Sequence, residues 1–162
     1  MKKYISLLLS LILIVNLSAC SAKTERTHLN NLYYDVKKDW EVEEIDNHDM
    51  VNYKFKYKDK DVIVFISANE SLLETNSMSD KDYLNFILKQ YKVDSISETM
   101  SKNENGIEFL YGTKYGNGTD QKYFACFDKK HSYLIIYAST GTIDQKQAES
   151  FAWFIKSINF GE

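Results

Sequence analysis

The stretch VNYKFKYK, residues 51–58, sets Val51, Tyr53, Phe55 and Tyr57 against Asn52, Lys54, Lys56 and Lys58 in strict alternation. Side chains on a strand point to opposite faces with a period of two. The segment is therefore expected to be a strand with one face on a core and the other in water. By contrast VIVFIS, residues 62–67, and YLIIYA, residues 133–138, are apolar at successive positions, the pattern of strands inside a sheet covered on both faces. Asp46–Asp49, Lys58–Lys60, Gly116–Asp120 and Asp128–Ser132 have turn compositions. Turns this short join antiparallel neighbours, so the sheet is expected to be mainly antiparallel.

Working outward, strands are also expected over Leu32–Val36, Trp40–Ile45, Ile107–Tyr115 and Lys122–Phe127, with another near Ser95–Met100. Two helices break the run. Ser79 with Asp82 resembles a capping box, followed by Leu84, Ile87, Leu88 and Tyr91 at helical spacing. Thr142 with Gln145 opens the second in the same way, with Ala148, Phe151, Ala152 and Ile155 as its stripe and Gly161 beyond its end. The order strands, helix, strands, helix predicts an α+β domain in which helices shield a mainly antiparallel sheet.

The chain opens with Met1, Lys2 and Lys3, and ISLLLSLILIV, residues 5–15, follows almost without a polar atom. This is the basic region and apolar core of a secretory signal, and it falls short of the roughly 20 apolar residues that span a bilayer. It ends in Leu17, Ser18, Ala19 and Cys20, which resembles the lipobox of bacterial lipoproteins. That resemblance implies cleavage between Ala19 and Cys20 and a thioether from Cys20 to diacylglycerol. The thiolate is the nucleophile for such a bond, and two acyl chains hold a protein on a membrane stably where one does not. Residues 1–19 are then the signal and residues 20–31 a lipidated cysteine with a polar tether of about 35 Å when extended. Residues 32–162 form a single α+β domain, about the right length for one core and too short for two.

Loss of the signal removes Lys2 and Lys3 and no acid, taking the net charge from −3 to −5, which argues against nucleic acid as a partner. Cys126 is then the only other thiol, so no internal disulfide is available. Its neighbours Phe124, Ala125 and Phe127 mark it as buried and inert. The abundance of Lys, Asn, Ile and Tyr without any proline fits a low-GC Gram-positive source.

The segment YYDVKKDWEV near the start of the domain, the helix after four strands, the aromatic hairpins that follow and the closing helix ending in SINF resemble the PsbP/Mog1 group, including its DcrB-type bacterial lipoproteins. The resemblance covers nearly all of residues 32–160. It implies an α/β/α sandwich around an antiparallel sheet, used as a non-enzymatic adaptor or assembly factor, with no catalytic residues and no cofactor to carry over.

Serine or cysteine hydrolysis needs a nucleophile beside an oriented histidine. The three histidines, His28, His48 and His131, fall in the tether or in turns, and no nucleophile elbow or phosphate-binding glycine loop is present. The protein is read as a non-enzyme. Cys126, Asp128 and His131 do not make up a four-ligand zinc set. The acids of Glu41–Asp49 are scattered by strand alternation rather than converging as calcium requires. No metal is expected. Lys54, Lys56 and Lys58 stand about 7 Å apart along one strand face, a candidate surface for anionic headgroups or wall polymer, or a wet face kept soluble by charge.

The expected role is a monomeric, lipid-anchored envelope protein on the extracytoplasmic face of the cell membrane that binds another envelope protein or peptide as an adaptor or accessory subunit. An immunity-type lipoprotein intercepting a toxic peptide competes with it, and a solute receptor ranks third because such receptors use two lobes and a longer chain. Cys20→Ala is expected to abolish lipidation and processing, whereas Cys126→Ala should leave both intact. Intact-mass analysis of the mature N-terminus reads the difference, and an unmodified start at Ser21 or Lys23 in the wild type would remove the lipid anchor.

Overall fold

A computed structural model describes residues 24–43, 45, 47–71, 77–116 and 118–161. The expected signal segment and Cys20 lie outside the described residues. The chain forms β1 (Thr24–Leu29), β2 (Leu32–Lys37), β3 (Glu41–Glu43), β4 (Met50–Tyr57) and β5 (Lys60–Glu70). Helix α1 (Asp80–Gln90) follows, and after it come the short β6 (Ser95–Ile96) and β7 (Ser101–Lys102). Then come β8 (Glu108–Lys114), β9 (Thr119–Phe127), β10 (His131–Thr140), α2 (Gln145–Ser157) and β11 (Asn159–Phe160).

The main sheet runs β3-β4-β5-β10-β9-β8-β6, with β7 on β8, and its strand pairs are antiparallel. The expected α+β class with a mainly antiparallel sheet and two helices is what is found. At its centre, β10 buries Tyr133, Ile135 and Tyr137 on one face and Leu134 on the other, so its run of apolar residues has the reason the sequence predicted. For VIVFIS the expectation holds on one side. Val62, Val64 and Ile66 are buried, while Ile63 and Phe65 on the opposite face are half-buried, because α1 packs on β8 and β9 and not on this part of the sheet. The alternation in β4 stands as read: Tyr53 is buried, and Lys54 and Lys56 are exposed.

One face of the sheet is covered by α2 and by a second small sheet, β1-β2-β11. The other carries α1 over Leu110, Tyr123, Ala125 and Leu134. The first interface is filled by aromatic rings. Trp40 stacks on Phe55 at 4.6 Å and meets Phe154 of α2 at 5.8 Å. The ring of Tyr34 lies 5.6 Å from that of Phe154, and its hydroxyl is 3.1 Å from the hydroxyl of Tyr53. Burial raises the pKa of both phenols, so the pair is neutral and one hydroxyl donates to the other.

Several boundaries depart from the expectation. Thr24–Leu29, expected to be tether, is β1, paired with β2 from Thr24↔Lys37 to Leu29↔Leu32. The domain therefore extends at least eight residues before Leu32. The two-residue turn Asn30-Asn31, with Asn30 at φ 50°, is favoured by asparagine's tolerance of the left-handed region. Trp40 leaves the expected Trp40–Ile45 strand for the core, and among the described residues of that segment Glu41–Glu43 pair with β4. The single strand expected near Ser95–Met100 is two short pieces on β8. Gly112 lets the first close in, since a Cβ there would meet Ser95 O at 2.9 Å.

Helix α1 starts as read, with Ser79 accepting from Asp82 N. Helix α2 starts two residues later than expected, at Asp144, whose capping box uses Gln147. Gln147 is the better partner because it also reaches inward, donating from Nε2 to Ser139 Oγ at 2.9 Å in the core. That start turns the buried stripe to Gln147, Phe151, Phe154 and Ile155 and leaves Ala148 and Ala152 exposed.

Asp128 ties the far ends of the two layers together. Its Oδ1 accepts from Lys130 N and His131 N, both at 2.7 Å, and its Oδ2 accepts from Asn31 Nδ2 at 3.0 Å and Tyr133 Oη at 3.3 Å. Burial opposes its charge, but the backbone donors and Asn31 prevail and hold the carboxyl below the usual range. A carboxyl whose folded pKa is depressed stabilises the fold above its unfolded pKa near 3.9, and that contribution is lost as pH falls through the folded value. Asp128→Ala is expected to cost about 1.5–3 kcal/mol at neutral pH, the range for hydrogen bonds to a charged group. In urea unfolding the gap between mutant and wild type should shrink on going to pH 3; a gap independent of pH would detach Asp128 from acid stability.

Candidate functional site

The side of the sheet that carries α2 is not closed at its β8 edge. There β8 turns Phe109 and Tyr111 toward α2, each beside Phe124 of β9, with ring centroids 5.2 and 6.0 Å apart. Phe124 in turn stands edge-on to Phe151 of α2 at 4.9 Å. These rings floor a groove of about 350 Å³ whose helical wall is Ala152 and Ile155. Tyr111 is 43% exposed although its strand lies inside the sheet between β9 and the short β6. A ring left this open on a paired strand is surface that the fold does not use.

The groove is rigid at its end. Asn103 donates from Nδ2 to the carbonyls of Ile155 and Ile158 at 3.1 and 2.8 Å, and its Oδ1 accepts from Ile107 N at 2.9 Å. Asn105 donates to the carbonyls of Lys156 and Ile158 at 3.0 and 2.8 Å. These amides satisfy carbonyls that the end of a helix leaves without intrahelical partners, and they fix the 103–107 loop to α2. The charged rim is internally neutralised, Lys102 on Glu108 and Lys156 on Glu104, each at 3.0 Å. Such a surface offers shape and apolar contact, with polar groups at the border.

Two other depressions are less suited. One of about 230 Å³ lies between α1 and the ends of β5 and β10, where Phe86 and Ile87 face Asn69 and Glu70. Another of about 600 Å³ lies beside β3 and the start of β4, where Val42, Met50 and Val51 mix with Glu43, Asn47 and His48 and no Phe, Tyr or Trp ring is among the described lining residues.

The lysines singled out in the sequence do not form a free ladder. Lys54 meets Glu43 and Lys56 meets Asp61, each at 2.5 Å. Lys58 lies beyond the end of β4 in the turn, at φ 57°, and reaches Asp144 at 3.3 Å. Hydrogen bonds from Lys54 and Asn52 lower the pKa of Glu43, and the Gln147 backbone followed by Lys58 does the same for Asp144. Two lysines thus share the sheet face and the third belongs to the end of the molecule.

Cys126 packs beneath the groove with Ile107, Ile135 and Ile158. Asp128 and His131 sit past it in the turn, with His131 Nδ1 3.9 Å from Asp128 Oδ1. Among the described residues no three His, Cys, Asp or Glu side chains converge on one point. His28 lies on β1 with its ring 5.1 Å from that of Tyr33, and His48 is exposed before β4. Among the described residues no helix is long and apolar enough to cross a membrane.

The groove was not legible as a site. Glu108–Lys114 alternates Phe109 and Tyr111 with Leu110, which marks two apolar faces, but only the length and placement of α2 decide which ring stays uncovered. No protein-family model matches the chain, and no curated protein matches it.

Burial, with a smaller push from Asp128, raises the Cys126 thiol to about 12, and only 3% of the residue is exposed. A thiol reagent at pH 8 is therefore expected to leave Cys126 untouched in the Cys20→Ala protein and to modify it once urea unfolds the chain. Fast native labelling would show that the groove floor opens.

Proposed function

We propose that the protein is a lipid-anchored, non-catalytic component of the bacterial cell envelope that works as an adaptor or accessory subunit. It holds an apolar segment of another envelope protein in the groove between β8 and α2. The observation that carries the reading is Cys20 directly after Leu17, Ser18 and Ala19 at the close of an apolar run, which supports a diacylglycerol anchor on the extracytoplasmic face of the membrane. The groove supports binding by contact rather than chemistry. Its walls are Phe109, Tyr111, Phe124, Ala152 and Ile155, and its one buried nucleophile, Cys126, is a thiol kept protonated beneath them. The arrangement of one helix on each face of an antiparallel sheet fits the sandwich that the likeness to PsbP/Mog1 lipoproteins implies, a group used for assembly and not for turnover.

A photoreactive phenylalanine in place of Tyr111 in the full chain is expected to give a discrete adduct with an extracytoplasmic protein or peptide. Ala152→Arg, placed on the exposed wall of α2 where folding is little affected, should abolish that adduct while the level of membrane-bound protein stays the same. Adducts no stronger than from position 129, or adducts indifferent to Ala152→Arg, would remove the groove from the function. A bacteriocin-like peptide in the adduct would favour the immunity role over the adaptor.

A further inference from the structure

The start of β1 changes what an anchor at Cys20 does. Only Ser21, Ala22 and Lys23 separate Cys20 from Thr24, the first residue of β1. A fully extended chain spans at most about 3.6 Å per residue, so Thr24 lies within about 14 Å of Cys20 whatever path the intervening residues take. An 11-residue tether would let the domain roam; three residues do not.

What surrounds Thr24 is therefore fixed against the bilayer. Thr24 pairs with Lys37 at the end of β2, and the Lys37–Trp40 turn is held to the end of β4 by the stacking of Trp40 on Phe55. Three residues past Phe55, the Lys58-Asp59 turn joins β4 to β5, where Lys58 meets Asp144 at the start of α2 and Lys60 reaches the Thr142 carbonyl. One end of the molecule thus gathers Thr24, Lys37, Lys38, Lys56, Lys58 and Lys60.

We infer that this end is a membrane-facing surface, and that its partner is the anionic headgroup layer of the bilayer that holds the Cys20 lipid. The inference rests on the anchor proposed above. Asp39 and Asp59 are exposed at the same end, and Asp61 and Asp144 engage Lys56 and Lys58, so the charges there nearly balance and the orientation is set by the short tether rather than by net charge. Lys37 is steadied by Ser150 Oγ at 3.0 Å and lies 5.6 Å from the centre of the Trp153 ring. Lysines close to an anionic leaflet are attracted within a Debye length of its surface, a range that the short tether enforces.

The same geometry points the groove elsewhere. Leu110, next to Phe109, stands opposite Ala125, three residues from Asp128 in the turn at the other end of β9 and β10. The groove therefore opens on the flank toward the end remote from the lipid, where a partner from the aqueous side meets it without competing with the bilayer.

The test uses the full chain, matured in cells, purified from membranes and reconstituted into phosphatidylglycerol-containing vesicles with a headgroup-nitroxide lipid. In a Cys126→Ala background, a small fluorophore is placed at Lys38→Cys, Asp59→Cys or Lys129→Cys. The first two sites are expected to be quenched several-fold more strongly than position 129, about 30 Å away along strands rising 3.3 Å per residue. The intact mass is read on the same samples. A mass without diacylglycerol overturns the anchor and the orientation together; a lipidated mass with equal quenching at both ends, or stronger quenching at 129, overturns the orientation alone.

Discussion

The packing of Trp40 between Phe55 and Phe154 is the contact on which the rest of this molecule depends. Aromatic pairs contribute about 0.5–1.5 kcal/mol each beyond the apolar area they bury, and here they join three elements distant in sequence: the β2–β3 turn, β4 and α2. The parallel stack on Phe55 brings the end of the small sheet onto the end of the large one. The contact with Phe154 sets the depth at which α2 lies, and so decides that Phe151 reaches Phe124 while Ala152 stays outside. The groove is a consequence of this seating. A helix set one residue differently would cover Tyr111 with a larger side chain.

The neutral hydroxyl pair of Tyr34 and Tyr53 adds direction to an otherwise greasy interface. Two buried phenols meet at 3.1 Å, and a displaced register would break that bond, at about 1–3 kcal/mol for a buried oxygen left unsatisfied. Asp128 does the same at the opposite end, where Asn31 of the small sheet and the β9–β10 turn share one carboxylate. Apolar contact supplies the cohesion between layers, and these two polar contacts select one alignment of them.

Strand identity was legible wherever a residue's neighbours in sequence share its fate. Residues 51–57 alternate and form β4, and the apolar run of 133–138 lies at the centre of the sheet. Strand β1 was hidden because it is an edge strand whose outer positions, Thr24, Arg26 and His28, are polar and whose single buried residue is Leu29. Its one clear signal, the Asn-Asn pair between two leucines, has meaning only once both flanks are read as strands. The start of α2 was misplaced because Thr142 and Asp144 both satisfy the local pattern for a cap, and the choice is made by Ser139, a buried partner that no local rule includes. The lysines were read correctly as exposed and incorrectly as aligned, since the alternation ends at Tyr57 and the chain turns at Lys58.

The two faces of the sheet are covered unequally, and this bears on where a small domain leaves its apolar surface. On the α1 side the helix shields β8 and β9, while Ile63, Phe65 and Ile136 remain half-buried in the strands beside it. On the α2 side the rings are sealed except along β8. A single domain of this size buries a smaller share of its surface than a large one, so some apolar area is bound to remain outside, and its placement matters more than its extent. Here the open ring of the groove, Tyr111, lies beside the loop where Asn103 and Asn105 lock the end of α2. A surface preorganised in this way loses less ordering entropy in any contact it makes than one whose side chains must first be placed.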